Sequence, residues 1–427
     1  MSTPLSPPTD RTKGLKKLPI EAEKRGAGTS SGINLRPGSD DDGWIIPPTV
    51  QLADGTEIQL FKDGEAWHAA FEAMKHARFR ICLELYIFAS DSTGQAVADL
   101  LIDKACSGVK VFVIYDSFGS LYSDRAMFDR MREAGVRVQE FHPIRPWECR
   151  YGWRAFNRDH RKLLVIDDYI AGLGGMNLGV DYSGSWIVKS AMAGSHVKEP
   201  DLWRDNAIGI RGPAAGVLLE SFKRTWNYVQ HGGRIRSVEL IHDIYQPGEF
   251  GLLASVPTVN SPLKPTLCHL LQNSNRSIYL TMAYFAPDDV LIDELCKAAD
   301  RGVRIKLMLP GRGDIKLLVI AARSFYEKLM SHGIEIYERQ NVILHAKTIV
   351  VDGQISIVGS TNLDYRSIEY NCELSAVIHS ETLGGQIEKL FENDVIYAKR
   401  IDPEVWHHRP NWDRLGQWLV SRARYLL

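Results

Sequence analysis

One pattern occurs twice in this chain. His160-Arg161-Lys162 is followed by Asp167, Gly174, Gly175 and Asn177, and His345-Ala346-Lys347 is followed by Asp352, Gly359, Ser360 and Asn362. Both stretches fit H-x-K-x4-D-x6-G-[GS]-x-N. In each copy the His and Lys stand two apart on an apolar run, a spacing that sends both side chains to one face of a strand. The run ends on an acid and a turn. A second apolar run, Tyr169 to Leu173 or Gln354 to Val358, then leads to the Asn. The spacing predicts a hairpin that delivers His, Lys and Asn to one place. A lone H-x-K pair means little, and each further matching position lowers the chance of coincidence.

The surroundings repeat as well. Before the first motif, Arg80 to Phe88 reads as a strand, Gly94 to Ser107 as a helix stopped by Gly108, and Val109 to Tyr115 as a strand. Ser123 to Ala134 follows as a helix stopped by Gly135, then Val136 to Phe141 as a strand. Before the second motif the same order returns: strand Ser277 to Phe285, helix Val290 to Ala299, strand Val303 to Leu309, helix Ile315 to Ser331, strand Ile334 to Glu338. Such a β-α-β-α-β order implies right-handed crossovers and a mostly parallel sheet. A long repeat in constant order means two similar domains. The expected fold is therefore α/β: two similar domains with mostly parallel or mixed sheets, related by a pseudo-two-fold axis, with an active site at their interface. The expected boundaries are a tail over 1–45, a first domain over 46–240, a second over 241–400 and an amphipathic C-terminal segment over 401–427.

Composition narrows the function. The chain has 427 residues, 44% hydrophobic, enough for two α/β cores. Its formal net charge of −1 carries no basic signature, so no nucleic-acid partner is expected. Cys82, Cys106, Cys149, Cys268, Cys296 and Cys372 form no C-x-x-C pair and read as buried free thiols of a reducing compartment, not as a metal site. No stretch reaches the roughly 20 apolar residues of a membrane span. The tail is rich in Ser, Pro, Thr, Gly and Lys, lacks an apolar signal-peptide core and reads as disordered.

Two further stretches stand out. Trp147, Tyr151, Trp153 and Phe156 lie among Arg145, Arg150, Arg154 and Arg158. That mixture suits a lipid headgroup boundary, a single nucleic-acid strand or an ordinary aromatic-packed loop. From Asn411 to Leu427, Trp412, Leu415, Leu419, Ala423 and Leu426 form a helical stripe with Trp418 beside it, and Arg414, Arg422 and Arg424 lie elsewhere. An interfacial membrane helix and a terminal helix packed on the body both fit.

The motif residues suit attack on a phosphodiester, whose charge repels nucleophiles and whose leaving alkoxide is poor. A neutral imidazole attacks without adding charge. A second, protonated imidazole can donate to the leaving oxygen, a contribution of roughly 10²–10⁴-fold. Lys162 and Lys347 can hold the non-bridging oxygens; Asn177, Asn362 and Ser360 add donors, each worth roughly 3 kcal/mol when preorganised. No metal or other cofactor is required. Each His needs a carboxylate on its other ring nitrogen. Glu373, on the strand after Asn362, and Asp205, at the matching strand start of the first half, are the expected orienting acids. Asp167 and Asp352 belong to the motif and are grouped with its catalytic set, although their place at the far end of the strand gives them turn and ion-pair work.

These residues resemble the phospholipase D superfamily, whose mark is this duplicated motif, over about residues 49–400. Within it the chain looks most similar to bacterial cardiolipin synthases. Gly174-Gly175-Met176-Asn177-Leu178-Gly179 with Tyr182, then Trp203-Arg204-Asp205 and Gly212-Pro213, carry the first-half likeness. Gly359-Ser360-Thr361-Asn362-Leu363-Asp364, Arg366-Ser367 and Asn371-x-Glu373 carry the second. The resemblance implies a covalent phosphatidyl-histidine intermediate passed to an alcohol. By that analogy His160 is the nucleophile and His345 the acid, then the base. Phosphatidylglycerol is the implied substrate, and a peripheral place on the cytoplasmic side of the cell membrane the implied location. Hydrolysis to phosphatidic acid, and a nuclease of the same superfamily, are the alternatives. The chain departs from the pattern in a long segment from Tyr182 to Leu202, in lacking N-terminal spans, and in Gly175, which makes the halves chemically unequal.

Overall fold

A computed structural model of the chain describes residues 43–145, 147, 157–182, 203–232, 249–256 and 261–423. Residues 1–42 of the tail, the aromatic and arginine residues Arg150, Tyr151, Trp153, Arg154 and Phe156, Cys149, the segment 183–202, the junction expected near 240, and Arg424 and Leu426 lie outside the described residues.

The first half contributes β1 (Val50–Gln51), β2 (Glu57–Lys62), β3 (Arg80–Leu85), β4 (Lys110–Asp116), β5 (Arg137–Phe141), β6 (Leu163–Ile166), β7 (Ile170–Gly174), β8 (Trp203–Arg204) and β9 (Asn206–Arg211). The second contributes β10 (Phe250–Ser255), β11 (Ser277–Met282), β12 (Phe285–Ala286), β13 (Arg304–Pro310), β14 (Glu335–Arg339), β15 (Ile343–Leu344), β16 (Lys347–Val351), β17 (Ile355–Gly359), β18 (Leu363–Asp364), β19 (Glu373–His379) and β20 (Ala398–Arg400). Two eight-stranded sheets result, ordered β1-β2-β9-β7-β6-β3-β4-β5 and β10-β19-β17-β16-β11-β13-β14-β20. From β9 to β5 and from β19 to β14 the strands correspond one to one.

Each sheet is mixed. The parallel pairs are β3 with β4, β4 with β5, β11 with β13 and β13 with β14, joined by the crossover helices Ser92–Cys106, Arg125–Glu133, Asp289–Asp300 and the segment from Lys316 to Ser331. The motif hairpins, β6–β7 and β16–β17, reverse the chain and add antiparallel strands beside them. Both hairpins close with two central residues at positive φ: Asp167 and Asp168 at 51° and 61°, Asp352 and Gly353 at 55° and 65°. Such turns match the right-handed twist of the strands they join. The expected single helix from Ile315 to Ser331 is two, Lys316–Arg323 and Tyr326–Ser331. At the break the Ser324 hydroxyl donates to the Ala321 carbonyl at 2.6 Å, a local bond that bends helices.

One apolar core takes side chains from both sheets, Leu163, Leu173 and Ile208 meeting Val350, Val358 and Leu374 together with the helices Ala214–Gln230 and Glu381–Val395. Each sheet has a second core on its other face. The strands are therefore buried on both faces, and their sequences read as near-continuous apolar runs. Among the described cysteines, Cys82, Cys296 and Cys372 are buried, but Cys106 is exposed on the last turn of its helix, against the expectation of burial. No helix among the described residues is long and apolar enough to cross a membrane.

Candidate active site

The chain just ahead of each motif histidine bridges to the other half. Asp159 pairs in parallel with Cys372, and β15 pairs in parallel with β8, Leu344 opposite Arg204. The His160 amide donates to the Cys372 carbonyl at 2.9 Å, and the His345 amide to the Arg204 carbonyl at 2.7 Å. The residue after each of those carbonyls is an acid. His160 Nδ1 therefore lies 2.9 Å from Glu373 Oε1, and His345 Nδ1 lies 2.7 Å from Asp205 Oδ2. All four side chains are buried. An Nδ1–H given to a carboxylate fixes the tautomer and leaves Nε2 with the lone pair. The histidines stand just ahead of β6 and β16, not within them, because this bridging replaces ladder pairing there.

Both lysines are buried and turned back on their own segment. Lys162 Nζ donates to the His160 carbonyl at 2.6 Å; Lys347 Nζ donates to the His345 carbonyl and lies 2.9 Å from His345 Nδ1. Burial holds Lys162 well below the usual lysine range and Lys347 at about 8. The two asparagines are held alike. Asn177 Oδ1 accepts from the Ile87 amide at 3.1 Å, and Asn362 Oδ1 accepts from the Tyr284 amide at 3.3 Å. Each amide oxygen is thus engaged by the chain that follows the matching strand of its half, β3 or β11. Asn177 Nδ2 donates to the Tyr182 hydroxyl at 3.1 Å.

The acids are supported unequally. The Ser360 hydroxyl donates to Glu373 Oε2 at 2.5 Å and accepts from the Leu374 amide at 3.0 Å. Ser360, expected to bind phosphate, thus directs its hydroxyl proton in this structure to the acid beside His160. At the matching place a Cβ on Gly175 would lie 2.2 Å from Asp205 Oδ1, so the absent side chain makes room for the carboxylate. Burial pushes Glu373 up, but His160, Lys162 and Ser360 overcome it and hold the acid below the usual range. Burial raises Asp205 to about 7 against the pull of Lys347. Burial lowers His160 to about 4, opposed by Glu373. Burial, then Lys347, Lys162 and His160, depress His345 well below the usual imidazole range. Both shifts favour the neutral imidazole, and His345 feels the charges of the other motif.

Two buried arginines anchor the acids. Arg204 grips both oxygens of Asp394 at 2.8 Å and the Asn206 side chain at 2.5 Å. Arg161, the middle residue of the first motif, reaches Thr225 at 2.6 Å and the Glu373 carbonyl at 3.4 Å. Aromatic rings wall the histidines. Tyr86 meets His160 edge-on with ring centroids 5.0 Å apart. Trp203, Tyr182 and Tyr284 lie 5.0, 5.5 and 6.2 Å from His345, and the Tyr284 hydroxyl donates to Asp314 at 2.7 Å. Tyr86, Tyr284 and Asp314 carry no motif and are not singled out by the sequence. The repeat does mark Tyr284, which occupies the place of Ile87.

Asp167 and Asp352, grouped with the motif's catalytic set and expected to do turn and ion-pair work, lie at the hairpin turns. Asp167 accepts from the amides of Arg78, Phe79 and Arg80 at 2.7–2.9 Å, and Asp352 from those of Asn275, Arg276 and Ser277 at 2.8–3.0 Å. Each carboxylate staples its hairpin turn to the start of the neighbouring strand, at the end remote from the histidine. Arg158 is not at a lipid boundary: it is buried, 3.6 Å from Asp116, and donates to the His142 carbonyl at 3.1 Å. Arg145 pairs with Glu140 at 2.7 Å.

Comparison with known proteins places this arrangement among relatives. The family described as cardiolipin synthase, PLD-like domain, matches residues 71–183 and 267–395, one block around each motif. A cardiolipin synthase of Geobacillus thermodenitrificans is 33% identical over 367 residues, 84% of this chain and 70% of that one. The major cardiolipin synthase of Bacillus subtilis is 30% identical over 380 residues, 87% and 75% of the two chains. In fold the chain is similar to phosphatidylserine synthase of Haemophilus influenzae, with a TM-score of 0.65 at 15% identity, covering 89% of this chain and 97% of that one. Polyphosphate kinase of Porphyromonas gingivalis gives a TM-score of 0.55 at 15% identity, covering 86% of this chain and 52% of its own.

Proposed function

The chain belongs to the cardiolipin synthase, PLD-like domain family, and we propose that it makes cardiolipin, or a related phospholipid, by transferring a phosphatidyl group from phosphatidylglycerol through a phosphatidyl-histidine intermediate at the surface of a membrane. The observation that carries this is the crossed pairing of His160 with Glu373 and His345 with Asp205, which builds one two-histidine site from both halves.

His160 Nε2 attacks phosphorus, the bond to the glycerol headgroup oxygen breaks, and that oxygen takes the proton of His345. A hydroxyl of a second phosphatidylglycerol then gives its proton to His345 as its oxygen attacks phosphorus, and the P–N bond breaks. The asymmetry of the acids supports these roles. Glu373, held ionised, suits a ring that becomes cationic when phosphorylated. Asp205, raised to about 7, suits a partner that loses and regains a proton. The phosphodiester anion, placed between the two lysines, offsets the positive charge that depresses His345 and so favours its protonated form when substrate is bound. Asn177 and Asn362 supply donors to the non-bridging oxygens.

The test is to incubate purified protein with phosphatidylglycerol vesicles, without added metal, and to identify products by mass. Cardiolipin and glycerol are expected. Phosphatidic acid as the sole product makes the chain a hydrolase; cleavage of DNA with no phospholipid turned over makes it a nuclease. His160→Ala and His345→Ala should each abolish turnover, and a covalent lipid adduct should form in His345→Ala but not in His160→Ala.

A further inference from the structure

We propose that the mouth of the site is rimmed by a bilayer-docking surface. Its parts are the outer stripe of the helix Asn411–Ala423 with Ile315 and Leu317 on the His345 side, and Phe118, Leu121 and Tyr122 on the His160 side. Its partner is an anionic phospholipid surface. The inference rests on the phospholipid substrate proposed above and adds where, and by which residues, the protein meets the bilayer.

The C-terminal helix is turned inside out. Trp412, Leu415, Trp418 and Leu419 are 73%, 57%, 53% and 55% exposed, while the polar Gln417 is buried. A helix packed on a globular body shows the reverse, with its apolar stripe inward. The inward contact comes from Val420, which packs on a small cluster of Ala286, Leu318 and Ala321, and Tyr284 packs against the same cluster. Tyr284 is the ring beside His345. The helix therefore lies behind the cluster on which Tyr284 rests, and its apolar stripe faces away from the protein. Ile315 and Leu317, also exposed, follow directly on Asp314, the acceptor of the Tyr284 hydroxyl.

The other half rims the site in the same way with unrelated residues. The loop after β4 packs on Tyr86, the ring beside His160. Ser120 Oγ donates to the Tyr86 carbonyl at 3.2 Å and accepts from the Phe88 amide at 3.0 Å. A Cβ on Gly119 would lie 2.3 Å from that carbonyl, so the loop sits as close as a backbone can. Phe118, Leu121 and Tyr122 on this loop point outward, exposed. β4 and β13 are equivalent strands, so both halves carry large exposed apolar side chains in the segment that follows the same strand.

The choice of partner follows from composition and substrate. A phospholipid must leave its bilayer for a buried pair of imidazoles, and an apolar rim on both sides of the opening removes the water that its acyl chains would otherwise cross. Two tryptophans with flanking cations are the composition of an interfacial helix. Arg422 lies 5.2 Å over the Trp418 ring, and Lys316 is exposed beside Leu317. Both suit anionic headgroups.

The test uses the full chain and two exposed double variants, Leu415→Glu with Leu419→Glu, and Phe118→Ser with Tyr122→Ser. Three measurements are made on each: sedimentation with phosphatidylglycerol vesicles, turnover of a short-chain phosphatidylglycerol dispersed as monomers, and mass in solution by light scattering. The expected result is a loss of vesicle binding on the order of 10-fold or more in each variant, as for removal of buried apolar anchors, with unchanged turnover of the dispersed lipid. Vesicle binding equal to the parent's in both variants overturns the proposal. So does a parent that does not sediment with vesicles, or a dimeric parent that the Glu variant makes monomeric, since the stripe then covers a second copy. Absence of dispersed-lipid turnover in the parent defeats the transferase reading instead, and leaves the vesicle result to be judged by itself.

Discussion

Glu373 Oε1 accepts from His160 Nδ1 at 2.9 Å across 213 residues of chain, and the contact joins the two halves. Its mirror relation, His345 with Asp205, spans 140 residues. Neither half contains a complete His–acid pair. In the proposed mechanism, association of the halves is therefore part of the chemistry, and the shared core between the sheets acquires a catalytic consequence.

Glu373→Gln is expected to lower kcat by on the order of 10²- to 10⁴-fold, the range for losing an acid that fixes a histidine tautomer. Ser360→Ala removes one hydrogen bond to that acid, worth about 1–3 kcal/mol, and should lower kcat by about 10-fold while leaving KM near its parent value. Steady-state kinetics on phosphatidylglycerol compare the two. A loss confined to KM would return Ser360 to the phosphate.

Gly175→Ala tests why the two motifs differ. The added methyl would meet Asp205 Oδ1 at 2.2 Å, so the carboxylate must move off His345. Activity should fall by on the order of 10²-fold, as for a displaced orienting group. Ser at this place should do no better, although it restores the pattern of the second motif. Full activity in either variant would show that the glycine is not there for space.

Asp167→Asn and Asp352→Asn should affect stability, not turnover. Each acid accepts from three main-chain amides, and loss of its charge weakens charge-assisted bonds by about 1–2 kcal/mol in total. The Asn side chain tolerates the positive φ of the turn. Thermal melts should shift down, while kcat/KM at a temperature where both proteins are folded stays within about two-fold, the size of an ordinary remote effect.

Acid sensitivity should trace partly to His142. Burial, then the charge of Arg158, lower its imidazole to about 3, and it lies 3.0 Å from the Asn157 carbonyl and 2.8 Å from the Tyr228 hydroxyl. A histidine held below its unfolded value near 6.5 binds more protons when unfolded, so its contribution is present above about 6.5 and is lost as pH falls toward 3. His142→Asn, which suits the positive φ of 42° at this residue, should melt lower at pH 7 and lose less of its remaining stability between pH 6.5 and 4. Equal slopes of Tm against pH in variant and parent would exclude His142 as a source.

The sequence alone determined the repeat, the strands and helices around it, the motif hairpins and the identities of the two histidines, two lysines, two asparagines and two acids. These are local signals: apolar periodicity follows the geometry of single elements, and the duplication repeats them in order. What only the tertiary structure decided is which acid serves which histidine, that Ser360 holds an acid while Gly175 clears space for one, and which main-chain amides Asp167 and Asp352 bind. It also decided that Tyr284 lines the site and that the last helix faces its tryptophans outward. Each of these depends on contacts between segments far apart in the chain, set by the parallel bridges at Cys372 and Arg204 and by the packing of two sheets on one core. Side-chain spacing along one strand carries no information about the partner that another strand brings to it.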